Sequence, residues 1–312
     1  MWLALFQIVI FPGFLFLGAL SLVFEYVDRK LYARMQNRIG PPWYQPLADI
    51  VKLLSKETIV PCDADSHLFG AIPVFALAAT CAAFLYIPIW SINSLMPFDS
   101  DLIVVLYFLT IPTLTYFLAG WFSSSLFAEL GAIRAMTQLF AYEVPLYMAL
   151  LGPALLAGTW SISGITAFYH QNPALLLVNI PALLVSIVTA QGKLERAPFD
   201  IPDAETEIVG GTFTEYSGRL LAMFKMTLNT ELVVVAALIS AIFFPLFIGG
   251  SAVVGFLLFL VKLLVVVFLL TLMRAALARF RMDQMVNFCW KVLAPVALAQ
   301  ILIDLIVKGA LL

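Results

Sequence analysis

Charge is scarce in this chain, and several charged residues stand where charge is costly. Glu143, Lys225, Glu231 and Lys262 fall inside long apolar runs, and Asp304 and Lys308 fall four apart in another. An ionisable side chain in such a run marks an ion or proton path more often than it marks decoration, because keeping a charge there is expensive. Glu143 follows Tyr142 and precedes Pro145 by two residues. Pro145 has no backbone N–H, and its ring disturbs the Ala141 carbonyl one turn earlier, so a polar spot should open beside Glu143. Lys262 reads either as a structural partner of Glu231 or as a member, with Glu143, Lys225 and Glu231, of a charge chain through the bundle. Glu129, close before Arg134, would link that chain to the cytoplasmic face. Asp304 and Lys308 read more simply as a structural pair.

A second group of acids lies between apolar runs, in LERAPFDIPDAETEIVGGTFTEYSGR at 194–219: Glu195, Asp200, Asp203, Glu205, Glu207 and Glu215. Interleaved Phe199, Ile201, Ile208, Val209 and Phe213 should pull this segment into the protein. If 203–209 is helical, Asp203 and Glu207 share a face and repel by roughly 0.2–0.5 kcal/mol. Crowded, partly buried carboxylates tend to hold protons, which a proton path requires. A solvated acidic loop is the plainer alternative.

Other chemistries lack their residues. The chain has two histidines, His67 and His170, and three widely spaced cysteines, Cys62, Cys81 and Cys289. No haem pair, iron–sulfur motif, phosphate loop or nucleophile elbow is present. A net charge of −2 gives no general attraction to nucleic acid. No redox centre or metal is expected on this chain itself.

The elements that must position these residues are membrane helices. Of 312 residues, 63% are hydrophobic and 12% charged, where soluble proteins carry about 25% charged residues; mean hydropathy is +1.03. Eight stretches approach the length of about 20 apolar residues that a spanning helix needs: 3–24, 68–90, 102–122, 137–157, 174–192, 219–245, 251–273 and 289–311. The first lacks a basic leader and a cleavage site, and is expected to remain as a helix. The expected architecture is an all-α integral membrane protein of about eight kinked helices, a single domain over 1–312. Pro73, Pro88, Pro112, Pro145, Pro153, Pro181 and Pro295 should supply the kinks. Lys and Arg concentrate after the first, third, fifth and seventh spans, which predicts those loops to be cytoplasmic and both termini to lie outside a cell membrane.

Two of the connecting segments, about 25–67 and 193–218, are more than simple loops. In the first, the leading helix should extend into the headgroup region, where Arg29, Lys30 and Arg34 meet anionic lipid. Gly40, Pro41 and Pro42 must then break the chain. From Gln45 an amphipathic helix is predicted, with Leu47, Ile50, Val51, Leu53 and Leu54 broadly on one side and Asp49, Lys52 and Lys56 on another.

The motifs are similar to those of a known family. DRKLYARMQNRIGPP (28–42), QPLADIVKLLSKE (45–57), GWFSSS (120–125), LGAIRAMTQLFAYE (130–143), RAPFDIPDAETEIVGG (196–211), EYSG (215–218), RFRMDQ (279–284) and WKVLAP (290–295) resemble the membrane-anchor and proton-channel subunit of respiratory complex I, its H subunit. The pattern lies nearer the counterpart in membrane-bound group 4 nickel–iron hydrogenases and related complexes. Here only Pro42, Trp43 and Tyr44 separate Pro41 from Gln45, where quinone-reducing members have a longer stretch. Asp28 precedes Arg29 and Lys30 where those members usually have a glutamate. Leu228 stands about where the complex I pattern has a glutamate, and Lys225 where it has a non-ionisable residue, so Glu231 is the expected substitute.

The resemblance implies a non-redox subunit that anchors a soluble electron-transfer arm and couples its chemistry to proton or sodium movement. Implied partners are soluble hydrogenase-like large and small iron–sulfur subunits, which would carry the iron–sulfur clusters and a nickel–iron centre, and antiporter-like membrane subunits. Asp28, Arg29, Lys30, Arg34, Arg38, Arg196, Asp200, Arg279, Arg281 and Asp283 would dock the arm or line a chamber. Glu129, Glu143, Asp203, Glu205, Glu207, Glu215, Lys225, Glu231 and Lys262 would form the coupling path. The quinone-site subunit of a quinone-reducing dehydrogenase is the alternative. A stand-alone secondary transporter is weaker, since no internal repeat is visible.

Overall fold

The computed structural model describes residues 2–245 and 251–311, except for the side chains of residues 2–5, 205, 206 and 311. The 246–250 connection and the Glu205 side chain therefore lie outside the described residues. What is described is helical, with no β-strand. In chain order the helices are α1 (Trp2–Val9), α2 (Phe14–Met35), α3 (Gln45–Ser55), α4 (Ser66–Phe84), α5 (Asp101–Trp121), α6 (Leu126–Ala157), α7 (Ile162–Gln171), α8 (Ile180–Lys193), α9 (Glu205–Ile208), α10 (Gly218–Phe243), α11 (Ala252–Ala276), α12 (Met282–Phe288) and α13 (Ala294–Leu311).

Seven helical runs among these residues are long and apolar enough to cross a bilayer: Phe6–Met35, Ser66–Phe84, Asp101–Trp121, Leu126–Ala157, Gly218–Phe243, Ala252–Ala276 and Met282–Ala310. The fifth expected span, 174–192, is shorter than its apolar run. Pro173 opens a 3-10 turn, and α8 begins only at Ile180, with Pro181 in its first turn. At ~1.5 Å per residue its 14 residues rise about 21 Å, against a hydrocarbon core of about 30 Å. The first span departs in the other direction. It breaks over residues 10–13, where Pro12 and Gly13 interrupt the hydrogen-bond ladder, then runs on to Met35. Likewise α6 starts at Leu126, eleven residues before the expected 137.

Position within a helix decides what each proline does. Pro73, Pro112, Pro145 and Pro153 lie inside helices, and each leaves the carbonyl four residues earlier without its usual donor. Pro88 falls beyond the end of α4. Around Pro295 the chain adopts a π turn over Cys289–Leu293, in which the Ala294 N–H reaches the Cys289 carbonyl. That wider turn accommodates a proline that cannot donate to Lys291.

The inner element is α10, buried along nearly its whole length, with α2, α3, α4 and α11 around it and α6 beyond, against α5, α8 and α13. One face gathers the ends of α2, α5, α8 and α11, the starts of α4, α6, α10 and α12, and the 194–217 segment; it is called the charged face below. The amphipathic helix expected from Gln45 is α3. Gly40, at φ +76°, turns the chain before it. Gly131 of α6 allows the acidic segment to lie directly on the helix. A Cβ there would fall 2.6 Å from the Thr212 nitrogen and 2.7 Å from the Gly211 carbonyl carbon.

Candidate functional site

A polar cavity of ≈500 Å³ opens at the charged face between α2, α3, α10 and the 194–203 segment, with Arg274 of α11 on its wall. The last three turns of α2 supply Glu25, Asp28 and Arg29, which share a helix face by their spacing of three and four. Glu25 contacts Arg29 and the Asn229 amide of α10, and Arg29 reaches Asp49 of α3 at 2.9 Å. Asp28, 1% exposed, accepts from Thr271 Oγ1 at 2.7 Å and Arg274 Nη1 at 3.2 Å on α11, and pairs with Arg196 at 2.8 Å. One carboxylate thus fastens α2, α11 and the acidic segment together. A charge this deep is stable only because several donors surround it.

Arg29 and Arg196, expected on a docking surface, therefore spend their guanidinium groups inside the chain. Arg34 and Arg38 are exposed, and Lys30 donates to the Pro41 carbonyl at 3.5 Å. Arg279 forks onto Asp200. Arg281 and Asp283 are exposed at the start of α12.

Apart from Glu195, the described acids of 194–219 do not crowd one another. Helix α9 is a single turn that excludes Asp203, so Asp203 and Glu207 diverge. Asp203 lies 4.0 Å from Lys225, Glu207 pairs with Arg134 at 2.6 Å, and Asp200 holds Arg279. Glu129 is exposed and Glu215 half-buried.

Glu195 is the exception, a buried carboxyl with an oxygen that accepts no hydrogen bond. Its turn, at φ +50°, is held by Gln138 of α6, whose amide donates to the Gly192 and Phe199 carbonyls at 2.7 and 2.8 Å. Burial pushes the Glu195 carboxyl well above its ordinary range; Asp203 and Glu231 add to this, and Lys193 and Lys225 oppose it. A raised acid binds its proton more tightly folded than unfolded, so it lowers stability as pH rises past the ordinary value of 4.5. Glu195→Gln removes that cost. The variant should match the parent in thermal melts at acid pH and exceed it at neutral pH; a gap independent of pH would show that ionisation is not the cause.

Behind the cavity a row of buried polar groups crosses to α6. Glu231 of α10, 0% exposed, pairs with Lys193 at 2.7 Å and accepts from Tyr116 OH at 3.3 Å. The cation meeting Glu231 is thus the last residue of α8, where the sequence pointed to Lys262; that lysine is buried on α11. Lys193 also donates to Thr113 Oγ1 at 3.1 Å, itself 3.1 Å from Tyr142 OH. One turn back along α5, Thr110 donates to Glu143 Oε1 at 2.8 Å, and Tyr147 donates to the same oxygen at 2.6 Å. Between the two groups a void of ≈10 Å³ touches Tyr142, Glu143, Tyr147 and Lys193, room on the order of one water.

Asp304 and Lys308 do not form the pair expected from their spacing. Asp304 is buried and accepts from Gln300 at 3.0 Å, while Lys308 donates to the Leu155 carbonyl at 2.8 Å. From sequence, Glu25 and Lys193 have no place in the site, and Glu195 stands among the crowded acids but not in the coupling path. The three-and-four spacing of Glu25, Asp28 and Arg29 was a usable signal. For Lys193, only a lysine at the end of an apolar run was visible. Among the described residues no group of three or more His, Cys, Asp or Glu is placed to hold a metal ion.

Comparison with known proteins places this geometry in a family. The family model described as NADH dehydrogenase matches residues 6–305. A relative from Brevibacillus brevis, named as the H subunit of NADH-quinone oxidoreductase, is 36% identical over 90% of this chain and 87% of its own length. One of the same name from Carboxydothermus hydrogenoformans is 34% identical over 97% and 88%. Among solved structures, a chain of the membrane-bound sulfane sulfur reductase, an archaeal respiratory membrane complex, superposes with a TM-score of 0.82 at 28% identity, covering 93% of this chain and 96% of that one. The family read from the motifs is the one these matches give, and the chain belongs to the NADH dehydrogenase family as a membrane-embedded, multi-span protein of the H-subunit type.

Proposed function

We propose that the chain is the non-redox membrane subunit of an ion-translocating oxidoreductase complex of the group 4 hydrogenase and sulfane sulfur reductase type. It anchors a soluble iron–sulfur arm and couples electron transfer there to H⁺ or Na⁺ movement through antiporter-like membrane partners. The observation that carries this reading is the buried row from the charged cavity through Glu231 and Lys193 to Glu143. A charge change at the cavity, beside the soluble arm, can be felt at Glu143 by way of groups in contact or nearly so. Exposed Arg34 and Arg38 suit docking of the arm, since guanidinium forks pair well with carboxylates at interfaces. Asp28, Arg29 and Arg196 shape the cavity instead. With basic loops cytoplasmic, the charged face meets the cytoplasm and both termini lie outside a cell membrane, in one membrane domain.

The cavity wall favours this branch. More than half of the residues lining it are charged, whereas a site for an isoprenoid quinone needs predominantly apolar walls. A second reading, the quinone-site subunit of a quinone-reducing dehydrogenase, draws support from the names of the curated relatives. Metal and quinone analysis of the complex purified in gentle detergent separates them. Iron without stoichiometric quinone is expected, accompanied by nickel for a hydrogenase. Stoichiometric quinone, or inhibition by quinone-site blockers, would transfer the assignment to the second reading.

A further inference from the structure

Two adjoining grooves run down the side of the bundle between α6 and the continuous α12–α13 helix, away from the charged cavity. The first, ≈480 Å³, opens at the charged face and holds Arg134, Arg279 and Arg281 over a floor that includes Leu130 and Phe280. The second, ≈370 Å³, is apolar and is walled by Met136, Phe140, Val286 and Trp290. Ile133 lines both, so one leads into the other.

Helical spacing explains the continuity. Leu130, Ile133, Thr137 and Phe140 make one stripe down α6, and Met282, Val286 and Trp290 make another down the opposing helix. From Leu130 to Phe140 the stripe is about 15 Å long at 1.5 Å per residue, half of a hydrocarbon core of about 30 Å. That is the depth of one leaflet. Charge is graded along the same line. Arg134 pairs with Glu207 and Arg279 with Asp200, while Arg281 makes no ion pair among the described residues. Three arginines against two carboxylates leave the mouth net positive, and the walls below are apolar. Basic pockets between membrane helices at a headgroup surface suit anionic lipid heads. A transmembrane helix of a partner would need apolar walls but has no use for a cationic mouth.

We infer that this groove binds one anionic glycerophospholipid, its phosphate on Arg281 and an acyl chain between the α6 and α12–α13 stripes. The site stands apart from the coupling row and does not depend on the functional reading above.

The test places the photoreactive residue benzoylphenylalanine at Phe140 in the assembled complex, in nanodiscs of equal parts phosphatidylglycerol and phosphatidylcholine. Illumination should give an adduct of this chain with phosphatidylglycerol well in excess of phosphatidylcholine. Arg281→Gln should cut that adduct about fivefold, the change expected for one basic residue at an anionic surface. Thr137→Trp, which fills the apolar part and leaves the arginines intact, should also cut it. Equal labelling of the two lipids, insensitivity to both substitutions, or an adduct with another protein chain in place of lipid would each overturn the assignment.

Discussion

Glu143→Gln should give a complex that assembles and whose soluble arm reduces or oxidises artificial carriers at the parental rate, yet which translocates no ions. The geometry around Glu143 is why so small a change is informative. Both hydrogen bonds it receives, from Thr110 and Tyr147, fall on a single oxygen, Oε1. Glutamine keeps that oxygen in the same shape, so the join between α5 and α6 survives. What is lost is the ability to take up and release a proton where Pro145 has opened the helix ladder and where a void of about one water faces Lys193. A purely structural carboxylate predicts little effect on pumping, since the hydrogen bonds are retained. Translocation at the parental ion-to-electron ratio in Glu143→Gln, measured in proteoliposomes, would rule the relay out.

Features governed by composition along the chain were legible without coordinates. The apolar runs, the basic loops, the break at Gly40–Pro42 and the amphipathic helix from Gln45 all follow from local sequence, and the structure has each of them. Where the sequence misled, a local feature competed with a distant one. Hydropathy carried the fifth span through Leu175–Leu177, but Pro173 and Pro181 confine the α-helix to fourteen residues. Spacing placed Asp203 and Glu207 on one face, but Lys225 and Arg134 draw them apart. Glu231 showed as a charge in need of a partner. That its partner is Lys193, and that Tyr116 closes the other oxygen, depends on how α5, α8 and α10 pack, information that no local window contains.

Lys193 is where that packing carries the largest energetic stake. Its side chain is 3% exposed and that of Glu231 is 0% exposed, so each charge depends on the other for compensation. Lys193→Met leaves the glutamate with only the Tyr116 hydroxyl, 3.3 Å away. Removing one member of a buried pair costs about 3–5 kcal/mol, because the remaining charge stays buried and unpaired. The variant should therefore lose folded protein at markedly lower temperature in detergent. Adding Glu231→Gln removes the orphaned charge while keeping the Tyr116 hydrogen bond, and should restore most of the loss. A buried pair replaced as a unit is often close to neutral. Lys193 has a second role that the double variant does not restore, since its ammonium also donates to Thr113 beside Tyr142. Stability should thus return without translocation, which separates the static contribution of the pair from its place in the row toward Glu143. A single variant as stable as the parent would remove the energetic argument. Recovery of pumping in the double variant would remove Lys193 and Glu231 from the coupling path.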